Sequence, residues 1–205
     1  MLGWGPNDDK EIRPVEEIAA LFSLKDINKA PAYFDMKKLL HINAEYIRAL
    51  SPEAFSEIAT QYFQLTGWQP VNLDLHVISD LSSSIQERIE KLADIVKLVD
   101  WLFNEEPAVE TDPKEIKKIS KSMSEDKVAD VLDLAIDQLE KCDWNEEVLG
   151  ETINGIGRLL ETKSQVPIRV AVTGRRIGLP LFKPMEILGR QKVVTRLQKA
   201  RADLG

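Results

Sequence analysis

PIRVAVTG, residues 167–174, is the stretch on which the fold class turns. Its core, IRVAV at 168–172, has the β-branched content of a strand. A strand needs a partner, however, and no other part of the chain reads as one. Everywhere else the apolar residues recur at helical spacing, with little of the strict alternation that marks a half-buried strand. The segment is therefore assigned as a helix over 167–173, and the class as all-α.

Working outward, the local grammar of helix starts recurs. Pro14 stands at a first-turn position ahead of VEEIAALF, with acids placed early where they suit the helix dipole. Ser51, Pro52 and Glu53 supply a cap, a first-turn proline and an early acid for a helix to about Leu65, and Asp112, Pro113 and Glu115 repeat the pattern for 112–121. Further helices are predicted at about 35–49, 75–103, 125–141, 145–161 and 189–202. The stretch NEEPAVETDP, 104–113, interrupts the helical period with acids, prolines and small residues. It divides the chain into two consecutive helical-bundle domains, 1–104 and 105–205. A shorter loop, QPVNLD at 69–74, is placed inside the first. No repeat or low-complexity segment is visible.

Downstream of the opening stretch the charge balance changes sign. Residues 167–205 carry nine Lys or Arg and two acids, whereas the first 166 residues carry 18 bases and 32 acids. The net charge of −7 argues against nonspecific nucleic-acid binding, so a polyanionic partner would be gripped locally, at the tail. The 205 residues, 43% of them hydrophobic, suffice for one or two globular domains. One cysteine, Cys142, cannot form an internal disulfide, and no 18-residue apolar run or secretory leader is seen. These features point to a reduced, cytoplasmic protein without a membrane span. The opening MLGWGPNDDKEIRP resembles the last turn of a helix whose earlier turns are missing, which suggests a fragment of a longer protein.

Catalytic chemistry finds little support. His41 and His76 have no Cys or His partner at ligand spacing, so no metal site is expected. Cys142, beside Asp143 and Trp144, has no adjacent base to form a thiolate. Gly150, Gly155 and Gly157 match neither nucleotide-binding fingerprint and read better as helix-packing positions. Acid pairs such as Glu16/Glu17 and Glu146/Glu147 lie at helix starts, where the dipole accounts for them. Lys121-Ser122-Met123-Ser124 lacks the order of a synthetase lysine loop.

The loop TGRRIGLPL, 173–181, has another character. Two glycines and a proline set a non-helical backbone, Arg175 and Arg176 supply charge, and Ile177, Leu179 and Leu181 supply apolar surface. Single-stranded RNA is recognised by such a combination, through contact with splayed bases and hydrogen bonds along their edges. A plain interhelical loop with a solvated basic face is the competing reading, and composition alone leaves both open.

Three separated stretches resemble the C-terminal, anticodon-binding half of bacterial glutamyl-tRNA synthetase. The first is LGWGP at 2–6 with KAPAYFDMKKLLHINAEYIRAL at 29–50, similar to the family's Phe-Asp, Lys-Leu and Asn before Tyr-Ile-Arg. The second is QERIEKLADIVKLVDWLF at 86–103. The third is PIRVAVTG, followed by PLF at 180–182, ILG at 187–189 and RL at 196–197. Their order and spacing agree over nearly the whole chain.

The resemblance implies a class I synthetase whose nucleotide-binding catalytic domain, with its HIGH and KMSKS motifs, lies outside this sequence. The chain alone would then be inactive. Full-length relatives ligate glutamate to its tRNA with ATP and magnesium, while this part, needing no cofactor, would hold the anticodon loop of tRNA(Glu) as a monomer. Arg88 falls where the family's arginine senses the third anticodon base and prefers cytosine to guanine. A guanidinium offers the planar donors for that task; pairing with Asp80, Asp94 or a local glutamate is the plainer role. Arg169 aligns with an arginine of the closing signature. Gly178, Leu179, Pro180 and Leu181 align with the base-touching loop, whose order here, Gly-Leu-Pro-Leu, puts side-chain contacts in doubt. Thr173 and Gly174 belong to the same signature, with helix capping as an alternative role. Arg175 and Arg176 are expected to attract all RNA sequences alike, and Trp4, Trp68, Trp101 and Trp144 to pack the core. A helical protein-interaction module without RNA specificity is the rival function.

Overall fold

The computed structural model of the chain describes residues 4–6, 8, 10, 12–28, 30–31, 33–68, 70, 74–103 and 123–204. Among these residues the regular structure is helical, with no strand. In chain order the α-helices are α1 (Val15–Leu21), α2 (Met36–Arg48), α3 (Pro52–Thr66), α4 (Leu75–Asp80), α5 (Ser82–Gln86), α6 (Ala93–Phe103), α7 (Glu125–Leu139), α8 (Glu146–Leu159), α9 (Gln165–Thr173), α10 (Phe182–Leu188) and α11 (Arg190–Ala202). The expected helix 112–121, the boundary 104–113, most of the loop 69–74 and Lys121-Ser122 lie outside the described residues. No described helix is long and apolar enough to cross a membrane.

Helix starts follow the grammar of the sequence. Asp35 accepts from the Lys37 and Lys38 amides to open α2, and Ser51 accepts from Ala54 N with Pro52 at the first position of α3. Ser124 and Asn145 cap α7 and α8 in the same way. Each such cap satisfies an amide that the helix itself leaves without a partner, typically about 1 kcal/mol. IRVAV is helical, inside α9, with Pro167 in the first turn where its missing N–H is harmless. Gly174 then ends α9 at φ 70°, and its amide donates to Val170 O at 2.7 Å.

Two expectations fail in instructive ways. The helix predicted over 75–103 is three pieces. It breaks at Leu81, then again at a turn over 87–92, where the Asp94 carboxylate accepts the amides of Glu90 and Lys91 at 3.3 and 3.2 Å. An aspartate that takes those amides replaces the helical bonds they would otherwise make. Arg88 therefore sits on a turn and not on a helix surface. Conversely, α10 forms over a segment assigned to no helix from the sequence: Pro184 falls in its first turn, and Met185 and Leu188 are buried.

Helices α2 to α5 pack among themselves, and α7 to α11 do likewise, with α9 against α7, α8 and α11 and with α10 bridging α8 and α11. One continuous apolar core includes Phe55, Phe63, Ile85, Ile95 and Trp101 from the first group and α6, and Leu132, Ile153, Ile168, Met185 and Leu197 from the second. Each such side chain contributes about 1.5–3 kcal/mol on burial. The predicted packing role holds at two of the three α8 glycines: a Cβ on Gly150 would lie 3.2 Å from the Phe182 ring and one on Gly157 2.8 Å from Ser164 Oγ, whereas one on Gly155 would meet only Arg158 Nη2 at 3.8 Å. Trp101 is buried, Trp68 and Trp144 pack on the core from its edge, and Trp4 meets Phe22 edge-on at 5.4 Å.

Candidate functional site

The loop after α9 is built from its ends inward. At its start the Thr173 hydroxyl donates back to Arg169 O at 2.8 Å and accepts from Arg175 N at 3.2 Å, so the chain leaves the helix in a fixed direction. At its far end Leu179 and Leu181 point into the core, 2% and 3% exposed. The expectation that both would offer apolar surface to a base is thereby corrected: the core claims those residues, and Leu179 O is itself taken by Arg169. Ile177, at 89% exposed, is the apolar side chain the loop does present, with the exposed Arg176 beside it. Pro180 is half-buried and, with Leu98, Trp101 and Ile177, lines a small cleft whose charged neighbours are Lys97, Arg169 and Arg175.

Two guanidiniums grip consecutive carbonyls of this loop. Arg88 donates from Nε to Gly178 O at 3.2 Å, and Arg169 from Nη1 to Leu179 O at 2.5 Å. The residues are far apart in sequence, yet the fold brings them to adjacent peptide groups. Burial, and secondarily the positive charge of Arg88, hold the Arg169 guanidinium below the usual arginine range. Both remain cations at neutral pH. The Nη1 of Arg88 also donates to Ser84 O at 2.9 Å and meets Glu87 Oε2 at 3.3 Å, whereas its Nη2 has no partner among the described residues. The local-glutamate pairing considered for Arg88 thus exists, through Glu87, and it leaves one edge of the guanidinium available.

Several residues position the site through contacts that their place in the sequence did not indicate. The turn bearing Arg88 is tied to α2 by Asn43, whose amide donates to Glu90 O at 2.6 Å. Buried Gln86 reinforces it by donating to Ile47 O at 2.6 Å and Leu50 O at 3.0 Å. Arg175, expected to be a general cation for RNA, instead forms a two-pronged pair with Asp100, at 2.9 and 2.8 Å, and donates to Lys97 O. Arg196 is buried between the two helix groups, donating to Val172 O and Trp101 O at 2.8 Å each. Arg176 alone of the loop arginines makes no ion pair among the described residues.

Chemically, the surface offers directed N–H donors, one exposed aliphatic side chain and excess positive charge, with no group of three or more His, Cys, Asp or Glu side chains among the described residues that could hold a metal ion. It is equipped for binding. The sequence pattern of the family described as "Anticodon binding domain" matches residues 54–201, a span that takes in Arg88, Arg169 and the whole loop. This chain belongs to that family. Among similar proteins, the glutamate–tRNA ligase of Thermobifida fusca is 38% identical over 205 residues, covering 98% of this chain and 42% of that protein. The glutamate–tRNA ligase of Frankia casuarinae is 38% identical over 209 residues, covering 100% of this chain and 43% of its own length. This anticodon-binding-family chain thus spans about two fifths of the relatives it matches. Its fold is that of part of a crystallised glutamate tRNA ligase from Elizabethkingia meningosepticum, with a TM-score of 0.83 at 24% identity, all of this chain matching 40% of that one. A glutamate–tRNA synthetase from Elizabethkingia anophelis shares it at a TM-score of 0.77 and 24% identity, over 98% of this chain and 39% of that one.

Proposed function

We propose that this chain is the anticodon-recognising part of a glutamate–tRNA ligase, and that the surface formed by Arg88, Arg169, Arg176, Ile177, Gly178 and Pro180 holds the opened anticodon loop of tRNA(Glu). Ligation of glutamate with ATP belongs, in this reading, to the rest of the longer protein. In this reading residues 1–104 contact the tRNA stem and, through Arg88, the anticodon, and 105–205 form the C-terminal anticodon-binding domain. The observation that carries the reading is the convergence of Arg88 and Arg169 on consecutive carbonyls of a loop whose tip exposes Ile177. Held by three acceptors on Nε and Nη1, Arg88 presents Nη2 in a fixed orientation. A preorganised donor discriminates between base edges because the wrong base leaves it unsatisfied. Arg176 and the phosphates interact less selectively and in a salt-dependent way. The acidic remainder of the chain, net −14 before residue 167, disfavours other docking modes.

The test is binding of this chain, at one fixed moderate salt concentration, to tRNA(Glu) and to the same tRNA with cytosine replaced by guanine at the third anticodon position. Tighter binding of the unaltered tRNA is expected. Arg88→Lys removes the planar donor array while keeping the charge, and should erase most of that preference, about 1–3 kcal/mol for a directed guanidinium contact. Equal binding of both tRNAs by the unmodified chain would refute the reading.

A further inference from the structure

Arg175 lines the same cleft as Ile177 and Pro180, yet its guanidinium is committed to α6. Its backbone amide is fixed by Thr173 Oγ1, and its guanidinium spends donors on both carboxylate oxygens of Asp100 and on Lys97 O. Both side chains of the pair are about one-third exposed, 35% and 31%, so water screens the pair only in part. Asp100 lies on α6, about 10 Å along the helix axis from its first residue Ala93 at 1.5 Å per residue. The turn that bears Arg88 immediately precedes that first residue. Helix α6 is therefore a rigid rod with the Arg88 turn at one end and the Arg175 anchor further along it.

We infer that Asp100 and Arg175 form a strut that sets the register between the Arg88 turn and the 174–181 loop, making them positioning residues for base discrimination and not phosphate contacts. Arg88 and Arg169 each hold a carbonyl at the far end of the loop, where Leu179 and Leu181 are buried, but neither restrains the stretch from Arg175 to Ile177. The bidentate pair, two planar groups joined at two points, supplies the missing orientational restraint. Like the proposed function, the inference takes the loop to contact an anticodon, and its own consequence, an ordered loop in the free chain, can be read without RNA.

Asp100→Asn is the decisive substitution: it keeps shape and volume but turns one acceptor oxygen into an N–H donor facing the guanidinium. Asp133→Asn, which breaks the surface pair with Arg201 at 2.9 Å, removes the same charge elsewhere on the chain. Amide hydrogen exchange in 174–181 should accelerate about five-fold in Asp100→Asn and stay unchanged in Asp133→Asn, and the cytosine-over-guanine preference should fall by a similar factor only in the former. Removing a negative charge would by Coulomb attraction alone tighten binding to any RNA, equally in both variants. Arg175→Ala should reduce the preference while leaving the salt dependence of affinity unchanged; a direct phosphate contact would instead lower the slope by about 0.7. Unchanged loop exchange in Asp100→Asn, or a lowered salt slope in Arg175→Ala, overturns the strut. Faster loop exchange with an intact base preference overturns its role in discrimination. If the unmodified chain shows no base preference while Asp100→Asn still loosens the loop, the proposed function fails and the strut stands as a loop-ordering device.

Discussion

Two glycines on one helix, Gly155 and Gly157 of α8, are expected to respond to alanine with opposite signs. A Cβ on Gly157 would lie 2.8 Å from Ser164 Oγ and 2.9 Å from Thr162 O. Neither neighbour can retreat freely. Ser164 is 3% exposed and donates its hydroxyl to Ile153 O at 2.6 Å, and Thr162 O is backbone. The added carbon must therefore push apart α8 and the start of α9. Overpacking of this kind costs about 1–3 kcal/mol, and loss of the buried serine bond about as much again. Alanine recovers roughly 1 kcal/mol of helix propensity, leaving a net loss of about 3 kcal/mol. At this chain length that is a fall in Tm of roughly 6–12 °C. A Cβ on Gly155 meets nothing nearer than Arg158 Nη2 at 3.8 Å, an ordinary contact with the far end of a flexible side chain. Gly155→Ala should gain about 0.5–1 kcal/mol from propensity and raise Tm by a few degrees. Thermal unfolding followed by circular dichroism on both variants is sufficient. A Gly157→Ala protein that melts at or above the parent would refute the packing argument, because nothing else in the calculation can offset the clash.

Leu179→Ala should destabilise by about 2–5 kcal/mol in denaturant titration, since the side chain is buried, whereas Ile177→Ala should stay within about 0.5 kcal/mol and instead weaken RNA binding. The reverse pattern would mean that the two side chains have exchanged roles. Acid should release the contacts of Glu17 with Lys10 and Arg13: the hydrogen bond from Lys10, opposed next in size by burial and aided by the charges of Lys10 and Arg13 and a hydrogen bond from Arg13, holds the Glu17 carboxyl below its ordinary 4.5. A folded-state value below the unfolded one means the contribution is present above pH about 4.5 and is lost as pH falls through the folded value. The Tm difference between the parent and Glu17→Gln should accordingly shrink on acidification below that point, and a constant difference from pH 7 to pH 3 would exclude the linkage.

Much of the resemblance read from the sequence turns out to rest on residues with identifiable physical work. Asp35 caps α2, Tyr46 donates to Arg13 O at 2.8 Å, Gly174 and Gly189 adopt positive φ at helix junctions, and Arg196 ties α9 and α6 to α11. Such residues identify a fold because few alternatives satisfy the same constraint: a cap needs a short acceptor, and a left-handed junction favours glycine. Arg88 and Arg169 were legible as candidates only through the family pattern. Taken singly, each is one basic residue among many.

The sequence by itself determined where the capped helices α2, α3, α7 and α8 begin, that IRVAV joins the helices and not a sheet, and that positive charge gathers after residue 167. Those features depend on hydrogen bonds and steric choices made within about four residues, which a linear string records. Only the tertiary structure decided that 75–103 breaks into three, that Leu179 and Leu181 turn inward, and that Arg175 pairs with an acid 75 residues away while Arg88 reaches a carbonyl 90 residues away. The orientation of a side chain in a loop is set by whichever distant surface offers it burial or a partner, and that surface exists only once the helices have packed.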